Sequence, residues 1–394
     1  MRSRRPTLLF FDFVTHYGGA QRSTVHLLSQ LSPAFDVHVL DPYGVCQDYV
    51  QALDDVCVPV TVMLDQPRSV FIGGSSMIHR GTALVRQLPD WMTLCATIRR
   101  EVDAIKPDVL LTNSYKAMAL LWISGVAKAC PVAYYARGWY QKHQIPWLGR
   151  WLIKKATSVL AVSNATADSL KQWPIPESRI HVCHTIIDFK SVLTEGQSSS
   201  HNVALAPEAA FKILLPAQLL AAKGQRIAVD AAVAMKEGGF NFVMWLAGDI
   251  KMGVHSRWVD ELRETIEKRG LQEHVIFLGH RSDVRALMAQ ADVVVLPSQT
   301  EGFPRTIWEA MLLQCPVIAT PAGGVRDLVE HDETGLLVPF DDASALAGAI
   351  ERLASESGLA RGLAQRAFEY VTQTYSEDVT LTQISETLMG VCER

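Results

Sequence analysis

Short apolar runs alternate with segments of helical spacing along most of the 394-residue chain. In the first half, TLLFFDFV precedes a predicted helix near 19–31. The runs DVHVL, DVLLTN, PVAYYA and SVLAVS alternate with predicted helices near 90–105, 116–127 and 164–172. This alternation is typical of parallel strands joined by crossover helices. The pattern therefore predicts an α/β domain built on a parallel sheet.

The alternation stops after RIHVCHTIID and starts again with FKILLPA, NFVMWLAGD, HVIFLGH, ADVVVLPS and CPVIATP. Residues 189–210, between the two series, are poor in large apolar side chains and contain EGQSSSHN, which predicts a linker. We therefore predict an α/β protein of two Rossmann-like domains, residues 1–188 and 211–374, facing a central cleft. The helical stretch 375–394 is expected to pack back on the first domain.

Composition narrows the class of protein. A formal net charge of -4 with scattered Lys and Arg argues against a nucleic-acid-binding surface. Seven cysteines without a CxxC pair suit neither a disulfide framework nor a structural zinc site, and favour the cytoplasm. The basic start resembles a signal peptide, but Asp12 interrupts its apolar run, which predicts a buried first strand instead. No apolar run reaches the roughly 18 residues typical of a membrane span.

The segment ADVVVLPSQTEGFPRTIWEAMLLQCPVIATPAGG (291–324) carries the most chemistry. A predicted strand leads through a loop containing Glu301 and Gly302 into a helix that begins near Arg305 or Thr306. Free N–H groups at a helix N-terminus favour a diphosphate through hydrogen bonds and the helix dipole. Glu301 and Glu309 can accept hydrogen bonds from sugar and ribose hydroxyls. Taken alone, an ordinary loop charge and an ordinary helix charge give the same pattern.

This segment resembles the retaining glycosyltransferases of family four, which share the two-domain GT-B fold. The string EGFPRTIWE has that family's E-x7-E spacing, and the likeness continues through EAMLLQCPVIATPAGGVRDLVEHDETGLLVPFDDASALAGAI. The resemblance implies that Glu301 contacts the donor sugar, that Glu309 contacts the ribose, and that the residues between them bind the sugar and diphosphate. Those residues are Gly302, Phe303, Pro304, Thr306 and Ile307, of which Pro304 has no amide hydrogen.

A second match is LLPAQLLAAKGQ (214–225). The resemblance implies that Lys223 contacts the donor phosphates, where a cation stabilises the charge of the departing diphosphate. The family also carries an Arg about five residues upstream, where this chain has Gln218. Loss of one charged donor costs about 1.5–3 kcal/mol unless another cation replaces it. The candidates for that replacement are Arg137, Arg305 and Arg326.

Further candidates for donor contacts follow two other strands. Gly279, His280 and Arg281 come after the strand HVIFL and are expected to border the nucleotide base. FVTHYGGAQRSTVHLLSQL places Gly18 and Gly19 between a strand and a helix, where paired glycines allow backbone amides to approach a phosphate. A glycine pair alone is more often only a turn.

The acceptor side departs from the family pattern. Many relatives have a His after the strand that here reads PVAYYARGWY, but this chain has Arg137 between Ala136 and Gly138. No general-base His can therefore be carried over, and His16 and Arg137 are the acceptor-side candidates. If the enzyme retains configuration, the donor phosphate itself is expected to accept the acceptor proton.

Residues 142–155, KHQIPWLGRWLIKK, combine basic and aromatic side chains. A helix of this composition can dock on anionic lipid, where a lipid-linked acceptor is found. If the helix docks in this way, the protein is expected to contact the inner face of the plasma membrane. An ordinary amphipathic helix packed on its own sheet has the same pattern. Both interpretations stay open.

The leading hypothesis is a metal-independent, retaining hexosyltransferase that uses a UDP-sugar and a saccharide or lipid-linked acceptor in polysaccharide or glycoconjugate biosynthesis. No DxD motif or ligand-spaced His/Asp cluster appears, so no metal or cofactor beyond the nucleotide-sugar co-substrate is expected. The alternatives are an epimerase or phosphorylase of the same fold, and a catalytically silent nucleotide-sugar-binding subunit. The hypothesis of a silent subunit is motivated by Gln218, which stands where the family has an Arg, and by the absence of the acceptor-side His.

Overall fold

A computed structural model of the chain describes residues 4–64, 77–140, 145–198, 210–250 and 257–393, with the backbone alone for 77–88. The chain divides into two units, Met1–Ile187 with Asp378–Arg394, and Asp188–Glu377.

The first unit is a seven-stranded parallel sheet with helical connections. Its strands are β1 (Thr7–Phe11), β2 (Asp36–Asp41), β3 (Val60–Val62), β4 (Val109–Thr112), β5 (Val132–Ala136), β6 (Ser158–Ala161) and β7 (Ile180–Val182). Its helices are α1 (Gly19–Leu31), α2 (Gln47–Asp55), α3 (Met77–Ile105), α4 (Tyr115–Ile123), α5 (Val126–Ala129), α6 (Trp147–Ile153) and α7 (Asn164–Lys171). The strand order is β3-β2-β1-β4-β5-β6-β7.

The second unit repeats this architecture. Its helices begin with α8 (Phe189–Gly196), and its strands are β8 (Phe211–Pro216), β9 (Phe242–Ala247), β10 (Val275–Gly279), β11 (Val293–Leu296), β12 (Val317–Ala319) and β13 (Leu336–Leu337). The other helices are α9 (Gln225–Glu237), α10 (Arg257–Lys268), α11 (Val284–Gln290), α12 (Arg305–Leu312), α13 (Val325–Leu328), α14 (Ala343–Ser355) and α15 (Leu359–Thr374). The strand order is β10-β9-β8-β11-β12-β13.

Both sheets have the doubly wound Rossmann order, which confirms the predicted fold class. Every residue of β1 and of β9 is buried, as expected for strands that are covered by helices on both faces. In each unit the strand order reverses once, between β1 and β4 and between β8 and β11. Ligands of such sheets bind outside the carboxyl ends of the strands at this switch point.

The linker predicted for residues 189–210 is wrong in its first part. Residues Phe189–Gly196 form α8, which Asp188 caps by accepting a hydrogen bond from the Ser191 amide at 2.8 Å. The helix belongs to the second unit because Arg285 of α11 contacts Ser191 at 2.7 Å and Glu195 at 3.0 Å. Residues 199–209 lie outside the described residues. A short helix that buries only one face has few large apolar side chains, as a linker does. The polar composition therefore predicted a linker where the chain forms a helix.

Two other elements differ from the predicted pattern or extend it. The single helix predicted near 116–127 is two helices, because Gly125 adopts a left-handed conformation (φ 82°) between α4 and α5. The last helix, α16 (Glu377–Cys392), lies with the first unit, where Thr387 Oγ1 is 3.6 Å from Cys183 Sγ of the chain segment after β7.

Candidate active site

Lys223 and Glu301 form an ion pair at the switch point of the second sheet. Lys223 follows β8 and Glu301 follows β11, and the two strands are parallel neighbours. Lys223 Nζ lies 2.7 Å from Glu301 Oε1. The Lys223 side chain is 27% exposed and that of Glu301 is 10% exposed, so the pair is sheltered but open to a ligand on one side. The structure thus brings together the two residues that the sequence predicted to be catalytic.

The backbone under this pair is held by Gly224. Its φ of 76° is unfavourable for other residues, and a Cβ built there would lie 2.0 Å from the carbonyl oxygen of Pro297. The Gln299 amide also donates to the Ala222 carbonyl at 2.8 Å. The loops after β8 and β11 therefore contact each other directly, which fixes the distance between Lys223 and Glu301.

The loop of Glu301 leads into the start of α12. Pro304 is the N-cap, and no side chain caps this start. Ile307, one of the predicted amide donors, already donates to the Pro304 carbonyl at 3.2 Å, whereas the Thr306 amide donates to none of the described residues. The Phe303 ring packs on Tyr375 with centroids 5.5 Å apart, which anchors the loop. Gly302 lies in this loop, partly exposed.

Glu309 lies one turn into α12, buried between two guanidinium groups. Its Oε1 is 2.9 Å from Arg285 and 2.8 Å from Arg305. Burial opposes ionisation of the carboxyl, but Arg305 and Arg285 hold its pKa below the ordinary value. The hydrogen bonds and ion pairs of Glu309 among the described residues use Oε1, not Oε2. Sequence reasoning missed Arg285, because it belongs to no motif and its spacing to Glu309 carries no local signal.

The position of the usual family Arg is occupied by Gln218, whose side chain is exposed and whose carbonyl accepts from Gln225 at 2.8 Å. Each predicted replacement for that Arg has another contact. Arg305 pairs with Glu309, and Arg326 donates to the Pro321 carbonyl at 3.1 Å. Arg137 belongs to the first unit.

The residues expected to border the base follow β10. Gly279 adopts a left-handed conformation (φ 66°), and His280 is exposed. Arg281 makes two hydrogen bonds to Asp283, at 2.8 and 2.6 Å, and this partner raises the pKa of Arg281. β10 lies two strands from β8, which is about 10 Å across a sheet. That separation suits the two ends of a nucleotide.

In the first unit, Gly18 and Gly19 lie where the sequence predicted, at the start of α1. The Gly18 amide donates to the Gln21 side chain at 3.2 Å. Gly18 has an ordinary extended conformation, and an added Cβ would lie 3.5 Å from its nearest neighbours, so neither strain nor crowding requires glycine here. His16 is exposed, and its Nδ1 lies 3.4 Å from Thr15 Oγ1.

Arg137 follows β5 and contacts the first turn of α1. Its guanidinium donates to the Ala20 carbonyl at 2.9 Å and to the hydroxyls of Ser23 and Thr24. It also lies 5.4 Å from the centre of the Tyr135 ring. These contacts hold Arg137 against the start of α1. They use guanidinium N–H groups that the sequence analysis assigned to the acceptor substrate.

Asp12 is a buried acid at the carboxyl end of β1 that sequence reasoning did not select as a site residue. Burial raises its pKa to about 7, although Arg137 and Asn113 lower it. Its Oδ1 has no hydrogen-bond partner among the described residues, and neither has the buried hydroxyl of Tyr49. The only sequence signal was a carboxylate at the end of an apolar run.

Two further properties concern the described part of the chain alone. No three His, Cys, Asp or Glu side chains there are grouped so that they could hold a metal ion. None of the helices there has the length and apolar character needed to cross a membrane.

The two doubly wound units place this chain in the GT-B class of two-domain proteins. A family model described as Glycosyltransferase Family 4 matches residues 17–191, and a model described as Glycosyl transferases group 1 matches residues 197–370. The chain belongs to glycosyltransferase family 4, as its sequence resemblance implied.

Similar curated proteins include the putative colanic acid biosynthesis glycosyltransferase WcaL of Escherichia coli (strain K12), which is 30% identical over 252 residues. That match covers 61% of this chain and 58% of the relative. The alpha-D-kanosaminyltransferase of Streptomyces kanamyceticus is 26% identical, with 62% of each chain covered. The matches thus span less than two thirds of these relatives.

Among solved structures, the Anabaena protein HepE in complex with UDP-glucose has a similar fold. Its TM-score is 0.82 at 23% identity, and the match covers 98% of this chain and 100% of HepE. The likeness extends over both units.

Proposed function

We propose that this chain is a retaining glycosyltransferase that moves a hexose from a UDP-sugar to a saccharide or lipid-linked acceptor. The observation that carries the proposal is the Lys223–Glu301 pair beside the uncapped start of α12. Family membership supports sugar transfer, and the UDP-glucose bound to HepE supports the donor. The names of WcaL and of a lipopolysaccharide core mannosyltransferase, LpsB of Rhizobium meliloti, support a glycoconjugate pathway.

The pair suits a leaving diphosphate and a sugar at the same time. Lys223 uses one N–H on Glu301 Oε1, so two remain for phosphate oxygens. The hydrogen bond from Lys223 uses Glu301 Oε1, which leaves Oε2 to accept from a sugar hydroxyl. The lysine also offsets the repulsion between Glu301 and the diphosphate. Charge that grows on the departing phosphate is then stabilised by Lys223 and by amides at the start of α12.

Glu309 suits the ribose for a related reason. Its Oε1 is held by Arg285 and Arg305, which keeps the carboxyl ionised and fixes its orientation. Its Oε2 then faces a ribose hydroxyl as a charged acceptor. Gly279, His280 and Arg281 border the base, and backbone contacts suffice there.

The acceptor approaches the sugar on the face from which the diphosphate departs, which retains the anomeric configuration. The acceptor oxygen forms the new bond to the anomeric carbon while the bond to the phosphate oxygen breaks. That phosphate oxygen takes the acceptor proton. Lys223 and the α12 amides supply positive charge at the diphosphate, so we propose that no metal ion is required.

The experiment is a donor and acceptor screen with the full chain. We expect UDP release and a new glycoside only when an acceptor is present, with the donor's anomeric configuration by NMR and no loss of rate in EDTA. An inverted product would overturn retention. An altered donor without acceptor consumption indicates an epimerase. UDP binding by calorimetry without turnover or donor hydrolysis indicates a silent binding subunit.

A further inference from the structure

The first unit carries a long stretch of sequence without acidic residues. Residues 109–167 contain no Asp or Glu and seven basic residues, although the whole chain has a formal charge of -4. This stretch includes α4, α5 and α6. Its basic residues are Lys116, Lys128, Arg137, Lys142, Arg150, Lys154 and Lys155. Lys142 lies outside the described residues.

Large apolar side chains on α6 and the end of α4 are exposed. Trp147 is 72% exposed, Leu148 49% and Trp151 43% on α6, and Ile123 on α4 is 56% exposed. The two helices are joined by a contact between the Trp122 and Trp151 rings, with centroids 5.7 Å apart. Four large apolar side chains exposed on two contacting helices are unusual for a surface in contact with water alone.

Cations flank these apolar groups. Lys154 and Lys155 follow α6, are exposed, and pair with no carboxylate that the structure describes. Lys155 Nζ lies 5.4 Å from the centre of the Trp151 ring and 5.8 Å from that of Trp122. We call the set Ile123, Trp147, Leu148, Trp151, Lys154 and Lys155 the α4–α6 surface.

We propose that the α4–α6 surface docks the protein on the anionic headgroups of a lipid bilayer. Tryptophan and leucine enter the boundary between headgroups and acyl chains, while lysines contact the lipid phosphates. Charge complementarity selects this occupant, because the basic residues of a stretch that contains no Asp or Glu attract an anionic bilayer and repel a cationic partner. The inference does not depend on the sugar-transfer reaction, although docking would bring the protein to a lipid-linked acceptor.

The test is co-sedimentation of the full chain with vesicles of phosphatidylcholine alone or mixed equally with phosphatidylglycerol. We expect binding to the mixed vesicles only, weakening as salt rises. The double variant Lys154→Glu/Lys155→Glu lowers the partition coefficient about twentyfold or more, since each basic residue contributes about fivefold near an anionic surface. The matched control Lys190→Glu/Arg361→Glu changes two exposed cations of the second unit and has the same net charge. It should bind as the wild type does.

A second variant separates a bilayer from a soluble polyanion. Trp147→Ala removes an exposed ring and should lower vesicle binding severalfold without changing binding to heparin. The control Phe340→Ala removes a ring that is 42% exposed in the second unit and should change neither. Circular dichroism checks that each variant is folded. The proposal is overturned if the wild type ignores phosphatidylglycerol, if both charge variants bind alike, or if Trp147→Ala binds vesicles as tightly as the wild type.

Discussion

Lys223 Nζ lies 2.7 Å from Glu301 Oε1, although 78 residues separate the two along the chain. The contact follows from topology, because β8 and β11 are parallel neighbours and both loops leave the same edge of the sheet. The Lys223 side chain is 27% exposed, so solvent screens the pair and it contributes little to the free energy of unfolding, although Glu301 is only 10% exposed. Its value is in positioning a cation and a carboxylate for a ligand.

Alanine at either position should lower activity without unfolding the protein. We expect Lys223→Ala and Glu301→Ala each to reduce kcat about a hundredfold to a thousandfold, because under the proposed function each removes a group that contacts charge or sugar in the transition state. The double variant should lose less than the product of the two effects, since the residues act as one unit. Steady-state kinetics with a UDP-sugar measures this.

A matched control is the pair Lys268 and Glu264, which is 3.1 Å apart on the exposed face of α10. Alanine there should leave kcat and unfolding unchanged. Wild-type turnover in both Lys223→Ala and Glu301→Ala would show that sugar transfer, if it occurs, uses another site.

Gly224 and Gly239 allow crowding to be separated from backbone strain, because both have φ of 76°. A Cβ at Gly224 would lie 2.0 Å from the Pro297 carbonyl oxygen, whereas nothing lies within 4 Å at Gly239. Gly239→Ala should therefore cost about 1–2 kcal/mol from conformation alone. Gly224→Ala should cost clearly more and should weaken UDP binding, because the loops must move apart. Urea unfolding and calorimetry measure both effects, and equal costs would contradict the proposed packing of the two loops.

The fold was predictable because it depends on repeating signals, whereas Lys223 and Glu301 were selected through the family resemblance and their ion pair was not predicted. Alternating apolar runs indicated parallel strands, and parallel strands send their carboxyl-end loops to one edge. The start of α12 was predicted near residue 305 and lies at Arg305, because loop and helix patterns change there within a few residues.

The parts that sequence reasoning missed are long-range contacts of buried charges. Arg285 reaches Glu309 across 24 residues, and Glu195 approaches Arg285 from a helix that was predicted to be a linker. Arg137 was expected at an acceptor, but its position beside α1 depends on which strands are neighbours in the sheet. Such contacts follow no repeat in the sequence and belong to no motif, so they are seen only in the folded structure.

Replacing Arg285 should destabilise the second unit. The Arg285 side chain is 10% exposed and contacts Glu309 and Glu195. Arg285→Met therefore leaves the buried Glu309 carboxylate paired with Arg305 alone, and it removes the ion pair with Glu195 of α8. We expect a loss of about 3 kcal/mol in the free energy of unfolding at neutral pH. The control Arg257→Met alters a 92% exposed arginine paired with Glu261 and should cost less than about 0.5 kcal/mol.

The pH dependence of that loss has a definite sign. The folded-state pKa of Glu309 is lowered, so the stability that its charge contributes is present above its ordinary pKa of 4.5 and is lost as pH falls through the folded value. The difference between wild type and Arg285→Met should therefore shrink in acid. A difference that stays constant from neutral to acid pH would show that packing, not charge, accounts for it.

Asp12 provides the opposite case in the first unit. Burial raises its pKa from 3.8 to about 7, so between these values the folded chain holds a proton that the unfolded chain has lost. Stability therefore falls as pH rises from about 4 to about 7, by up to about 4 kcal/mol for a shift of this size. Above that range the carboxylate is charged in both the folded and the unfolded chain. The free-energy cost of burying the charge is then present in full and no longer changes with pH.

Asp12→Asn should remove that cost, because the amide has nearly the same shape and stays neutral at every pH. We expect the variant to exceed the wild type in free energy of unfolding at pH 8 by roughly 2–4 kcal/mol, with the advantage largely gone at pH 4. Urea unfolding across this range measures it. Asp54→Asn is the control, because Asp54 is exposed on α2. This substitution should change the free energy of unfolding equally little at pH 4 and at pH 8. Parallel pH profiles for wild type and Asp12→Asn would mean that Asp12 titrates alike in the folded and the unfolded chain, so that burial does not raise its pKa.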